Sequence, residues 1–111
     1  SDDPARADEA ADRLRDLMPG LGHMVHMPSH IDVLRGRWNE AIVANSKAIE
    51  ADRAYRDVAP APPDFYRLYM SHNHHMKAYA AMMIGRREVA MASIRRGAGR
   101  ATAARWVDRE A

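Results

Sequence analysis

Residues 36–48 have the sequence Gly-Arg-Trp-Asn-Glu-Ala-Ile-Val-Ala-Asn-Ser-Lys-Ala, and this stretch decides the fold prediction. Trp38, Ala41, Asn45 and Ala48 follow one another at steps of three or four residues, which is the period of one helix face. Ala41 and Ala48 have small side chains, so a second helix can pack closely against that face. The stretch therefore predicts a helix that forms part of a tightly packed helical pair.

The same arrangement occurs twice in the chain. Gly36 precedes the first helix, at a point where a turn between helices favours glycine. Gly85 lies 49 residues later and is followed by Ala90, Ile94 and Gly97 at the matching intervals. An internal repeat of this kind indicates helical pairs that stack on one another.

The spacing of glycine, aromatic residue and alanine resembles the tetratricopeptide repeat (TPR). The resemblance implies an all-α fold, a TPR-like α-α superhelix of antiparallel helix pairs with about five helices. The 49-residue interval exceeds the usual TPR period of about 34 residues. Two further segments, His26–Ile31 and His72–His75, are similar to segments of uncharacterised bacterial TPR-like proteins.

The predicted organisation is a single TPR-like domain over residues 1–111, which we expect to be a fragment of a longer chain. Helix propensity is high throughout, because alanine and arginine are abundant and β-branched residues are few. We predict the second helix of one repeat at 5–18 and two helix pairs, at 21–55 and 64–97. The last helix should end in a break at Gly97-Ala98-Gly99, and residues 98–111 form a tail. Pro60, Pro62 and Pro63 predict a non-helical linker between the pairs.

Composition excludes several classes of protein. There are 0 Cys, which excludes disulfides, a thiolate nucleophile and cysteine-bound zinc. Charges interrupt every apolar stretch before the roughly 18 residues of a membrane span, and the beginning of the chain is unlike a secretory signal. The net charge of +2 is small. We therefore expect a cytoplasmic protein that binds neither nucleic acid nor a membrane.

All six histidines fall in two short segments. His23, His26 and His30 lie within an arc of roughly 60° on one helix, because each residue turns the helix by about 100°. The 49-residue interval superposes His23 on His72 and His26 on His75. The histidines therefore follow the same repeat as the small residues.

In TPR-like arrays the first helices of successive pairs line a concave groove, and the resemblance implies the same here. Five imidazoles would then face one another across the groove, from His23, His26, His30, His72 and His75. The other groove residues would be Val33, Leu34, Tyr79, Met82 and Met83.

Imidazole is the commonest metal ligand in proteins, so the histidine cluster predicts a candidate site for a transition metal. Zn²⁺ is the first choice, and Cu²⁺, Ni²⁺ and non-haem Fe²⁺ are alternatives. Asn45 and Asn73 are candidates for orienting the ligand rings, as is Asp32. Pro28 allows two interpretations, since the helix either kinks there or begins near Met27.

Two functions follow. The first is a scaffold that binds a peptide, protein partner or small ligand in the histidine-lined groove, with or without a metal ion. The second is a zinc-type hydrolytic enzyme that uses the same cluster. The sequence favours the first, because it carries no H-E-x-x-H pattern, phosphate loop or serine elbow. Uncapped solenoid ends also make a homo-oligomer possible.

Overall fold

A computed structural model describes residues 3–59 and 64–110, with the side chains of residues 3–59 and 65–99. The described residues are helical and contain no strand, so the all-α prediction is confirmed for them. The elements are a 3-10 turn at Pro4–Ala7 and six helices: α1 (Asp8–Leu14), α2 (Gly22–His26), α3 (Pro28–Leu34), α4 (Trp38–Val58), α5 (Asp64–Met83) and α6 (Arg87–Glu110). A superhelix of the TPR kind stays a prediction. The proline linker was predicted over residues 58–64, but Val58 ends α4 and Asp64 begins α5, so these two residues are helical. Residues 60–63 of the linker lie outside the described residues.

Two glycines end helices with the same backbone device. Gly36 and Gly85 have φ values of 68° and 70°, in the left-handed region that favours glycine. At the first turn the Arg37 N–H donates to the Asp32 carbonyl at 2.7 Å, and at the second the Arg86 N–H donates to the Ala81 carbonyl at 2.8 Å. These bonds are Schellman caps, so both glycines form the turns that their spacing predicted.

The core lies where α4, α5 and α6 meet, and it is built mainly from alanine. Ala41, Ala80 and Ala81 have no exposed surface, and Ile42 and Ala90 complete the buried cluster. Such small side chains let the helix backbones approach closely. Val33, one of the predicted groove residues, is half-buried and packs against this cluster from α3.

Ionic contacts attach α1 to the helices that follow it. Asp32 of α3 is completely buried and accepts two hydrogen bonds from the Arg15 guanidinium, at 2.5 and 2.8 Å. The Asp32 carboxylate raises the pKa of Arg15, and Arg15 and Arg37 together lower that of Asp12. A buried carboxylate is stable only with such partners.

Three predicted helix boundaries need correction. The first helix ends at Leu14 instead of residue 18, and Leu17 beyond its end is 69% exposed, so a further turn would bury little apolar surface. The second helix is divided at Met27 into α2 and α3, and Pro28 is the first residue of α3. His23 and His26 are nevertheless helical and do not lie on an incoming loop. The break expected at Gly97-Ala98-Gly99 is absent from α6.

Gly97 has a packing role inside α6. The Ser71 hydroxyl of α5 donates to the Gly97 carbonyl at 3.1 Å. A Cβ atom added at Gly97 would lie 3.2 Å from the Cβ of His74, which is itself buried. The glycine therefore allows α5 and α6 to cross closely and does not end the helix.

Candidate metal centre

Three of the predicted ligands lie together, and they come from three helices. His26 is the last residue of α2, His30 is in the first turn of α3, and His72 lies on α5. One ring nitrogen from each lies within 4.8 Å of the other two. The ring centroids of His26 lie 4.8 Å from those of both His30 and His72. We call these three residues the histidine triad.

His26 is the anchored member of the triad. Its side chain is completely buried, and its Nδ1–H donates to Oδ1 of Asn45 at 2.7 Å. The orientation of the Asn45 amide follows from its other bond, in which Nδ2 donates to the Ala41 carbonyl at 2.8 Å. With Nδ1 protonated, the lone pair of neutral His26 lies on Nε2, the nitrogen that points to the other rings.

Two members of the triad, His26 and His72, favour neutral imidazole. Burial lowers the pKa of His26 to about 4, against the weaker opposing effect of its bond to Asn45, and the neighbouring histidines lower it further. Burial also lowers the pKa of His72, with contributions from His30, His75 and His23. Both rings are therefore neutral at pH 7, which is the form that binds a metal ion.

One short contact inside the triad resembles the spacing of ligands on a single ion. Nε2 of His26 lies 2.9 Å from Nε2 of His30. Because Nδ1 of His26 holds its proton, Nε2 of His30 is the donor in this contact. Two nitrogens bound to one tetrahedral Zn²⁺ at 2.0–2.1 Å are about 3.3 Å apart. To bind one ion with both nitrogens, the rings would separate by a few tenths of an ångström, and His30 would carry its proton on Nδ1 instead of Nε2.

The other two predicted ligands flank the triad without joining it. The ring of His23 lies 6.0 Å from that of His26 and 4.6 Å from that of Tyr69. The exposed ring of His75 lies 6.5 Å from that of His72. His23 therefore lies beside Tyr69, and His26 beside His72. Both pairings join residues 46 positions apart, so they are displaced by three residues, about one helical turn, from the 49-residue repeat register.

The remaining predicted groove residues are exposed instead of enclosed. Tyr79 packs edge-on against Trp38, with ring centroids 6.0 Å apart. Leu34, Met82 and Met83 are each at least half exposed.

Asn45 orients a triad ring as predicted, whereas Asn73 contacts a different group. Asn73 is buried and donates to Oδ2 of Asp52 at 2.7 Å. It follows His72 directly, so the helix turns it about 100° away from the triad. Asp32, the third candidate, is held by Arg15. Asn73 and Asp32 therefore have partners other than the triad rings in this structure.

Asp52 was missed by the sequence reasoning, and it connects the helices of the site. This buried carboxylate of α4 accepts hydrogen bonds from Asn73 and from the Tyr66 hydroxyl, the latter at 3.0 Å. Burial and the Asp52 charge raise the pKa of Tyr66 to about 12, so the phenol remains a donor. Gly22 at the start of α2 packs directly on the carboxylate. The sequence does contain one indication of this role, which is that Asp52 places a charge on the otherwise apolar face of α4.

Tyr69 was also missed as a neighbour of the cluster, although it lies three residues before His72 on the same helix face. Phe65 lies one further turn before it, and their ring centroids are 6.1 Å apart. Phe65 and Tyr69 are 60% and 41% exposed. Together with His23 they form a row of rings, here called the aromatic row, that leads from the surface to the triad.

Comparison of the chain with protein-family models, with curated proteins and with solved structures gives no match. The candidate function therefore depends on the geometry of the site. In the part of the chain that the structure describes, every helix is too short or too polar to cross a membrane.

Proposed function

We propose that this protein binds a divalent transition-metal ion through His26, His30 and His72, with Zn²⁺ as the first candidate. The observation that carries the proposal is the placement of three ring nitrogens within 4.8 Å of one another, one of them oriented by a buried amide. Three neutral imidazoles are a common ligand set for Zn²⁺, and they leave a fourth coordination position open. Cu²⁺, Ni²⁺ and Fe²⁺ accept the same nitrogens.

The support is stronger for binding than for hydrolysis. A hydrolytic zinc site needs a general base near the open position. The two buried carboxylates nearest in sequence to the ligands, Asp32 and Asp52, are engaged by Arg15 and by Tyr66 with Asn73. We therefore propose that the protein is a metal-dependent binding module with a TPR-like scaffold. The molecules that it would bind include peptides and protein partners.

The direct test is metal stoichiometry. Purified, untagged protein dialysed against Zn²⁺ should retain close to one ion per chain by elemental analysis. Thermal melts should shift to lower temperature after treatment with a chelator, because an ion bound only by the folded state stabilises it. The double change His26→Ala/His30→Ala should abolish both effects.

A matched control is available in the same cluster. His75 is exposed and lies one turn beyond His72 on α5, outside the triad. His75→Ala should therefore retain the ion with unchanged stoichiometry. Equal zinc content in the double variant and in the original protein would overturn the proposal.

A further inference from the structure

The described residues place no negative charge on the proposed ion. Within residues 3–59 and 65–99, the group able to hold a metal consists of imidazoles alone. The side chain of Asp32 lies 2.8 Å from Arg15 and 3.7 Å from Arg37, so its charge is compensated away from the triad. A divalent ion held by three neutral ligands keeps its full charge of 2+, and such an ion favours an anionic fourth ligand.

The aromatic row provides an apolar surface that adjoins the triad through His23. Tyr69 contacts His23 at a centroid distance of 4.6 Å and Phe65 at 6.1 Å. His23 in turn stacks on His26, a triad member. The exposed faces of Phe65 and Tyr69 can therefore contact the ring of a ligand whose charged end is bound at the triad.

We propose that the open coordination position binds the carboxylate of a small aromatic acid, whose ring packs along the aromatic row. This inference rests on the proposed function, since it requires an ion at the triad. The ion selects an anionic oxygen, and the row selects a ring over an aliphatic group. Neither feature alone would distinguish an aromatic acid from acetate or from a neutral aromatic compound.

The test uses Co²⁺ as a coloured substitute for Zn²⁺ in the full chain, with benzoate and acetate as probes. Binding of Co²⁺ to the protein should give visible absorption bands typical of cobalt with a low coordination number. Benzoate should then change these bands at a concentration about fivefold below that needed for acetate, because an aromatic contact contributes about 1 kcal/mol. Tyr69→Ala should bring the two probes within about twofold of each other.

Tyr69→Phe is the matched control, because it keeps the ring and removes only the hydroxyl. It should retain the preference for benzoate. The outcomes separate the two proposals. Absence of cobalt bands would overturn the proposed function. Cobalt bands that neither anion changes would overturn the inference alone, as would equal affinity for benzoate and acetate in the original protein.

Discussion

Asn45 and His26 are joined across the interface of α4 and α2 by a 2.7 Å hydrogen bond between two completely buried side chains. Through this bond, a helix that carries no ligand determines which nitrogen of His26 faces His30 and His72. Partners of this kind orient ligand rings and increase their basicity. The bond thus connects the packing of the core to the chemistry proposed for the triad.

Replacing Asn45 tests this connection. Asn45→Leu should weaken Zn²⁺ binding by about 10- to 100-fold, because His26 loses the acceptor that fixes its tautomer. It should also lower the free energy of unfolding by about 1–3 kcal/mol, since a buried N–H remains unpaired. Zinc affinity is measured by competition with a chromogenic chelator. Asn39→Leu, at an exposed position on the same helix, should change neither quantity by a comparable amount.

The low pKa of His26 makes the stability of the metal-free protein depend on pH. The folded value of about 4 lies below the ordinary value of 6.5, so between these limits the unfolded chain binds more protons. Stability should be complete above about pH 6.5 and fall by about 2 kcal/mol as the pH decreases to 4.5. Urea unfolding at a series of pH values measures this. In His26→Gln the slope should be markedly smaller, and an unchanged slope would show that other groups cause it.

The buried Asp32–Arg15 pair should be far more important for stability than an exposed pair. Asp32→Ala leaves the Arg15 guanidinium without its main partner, and we expect a loss of about 3 kcal/mol in the free energy of unfolding. Arg13–Glu9 has a similar length of 2.6 Å but lies in solvent, so Glu9→Ala should cost less than about 1 kcal/mol. Equal losses in urea unfolding would contradict the importance assigned to burial.

Gly22 and Gly20 form a matched pair for testing the packing at the start of α2. A Cβ atom at Gly22 would overlap the Asp52 carboxylate, whereas one at Gly20 would meet nothing within 4 Å. Gly22→Ala should therefore destabilise the fold by about 1–3 kcal/mol and weaken zinc binding, because α2 carries His26. Gly20→Ala should leave both properties close to those of the original protein. Similar behaviour of the two variants in thermal melts and zinc titration would argue against the contact.

Sequence patterns with a local physical cause predicted the structure well. Alanine-rich helical periodicity predicted the helices, and Gly36 and Gly85 predicted the turns because left-handed backbone strongly favours glycine. These features depend on neighbours within a few residues, which a single sequence contains.

Features set by contacts between distant residues were not predictable in this way. The repeat aligns His23 with His72, but the side-by-side contact joins His26 to His72, because the repeat interval does not determine how far one helix slides along another. Gly97 was predicted to end a helix because its sequence neighbours do not show its role. That role depends on His74 of α5, because the two helices cross closely there and a glycine leaves room for the crossing.

Pro28 has a consequence for ion preference. This residue lies between His26 and His30, two of the three ligands. Proline has no N–H, so the backbone hydrogen bond that would join α2 and α3 into one helix cannot form at this position. His26 is fixed by Asn45, whereas His30 is exposed and lies beyond the interruption. Because only one of the three ligands is held rigidly, the site can adjust to ions of different radius and discriminates poorly between them. We therefore expect the affinities for divalent ions to follow the intrinsic Irving–Williams order, with Cu²⁺ above Zn²⁺ and both above Co²⁺.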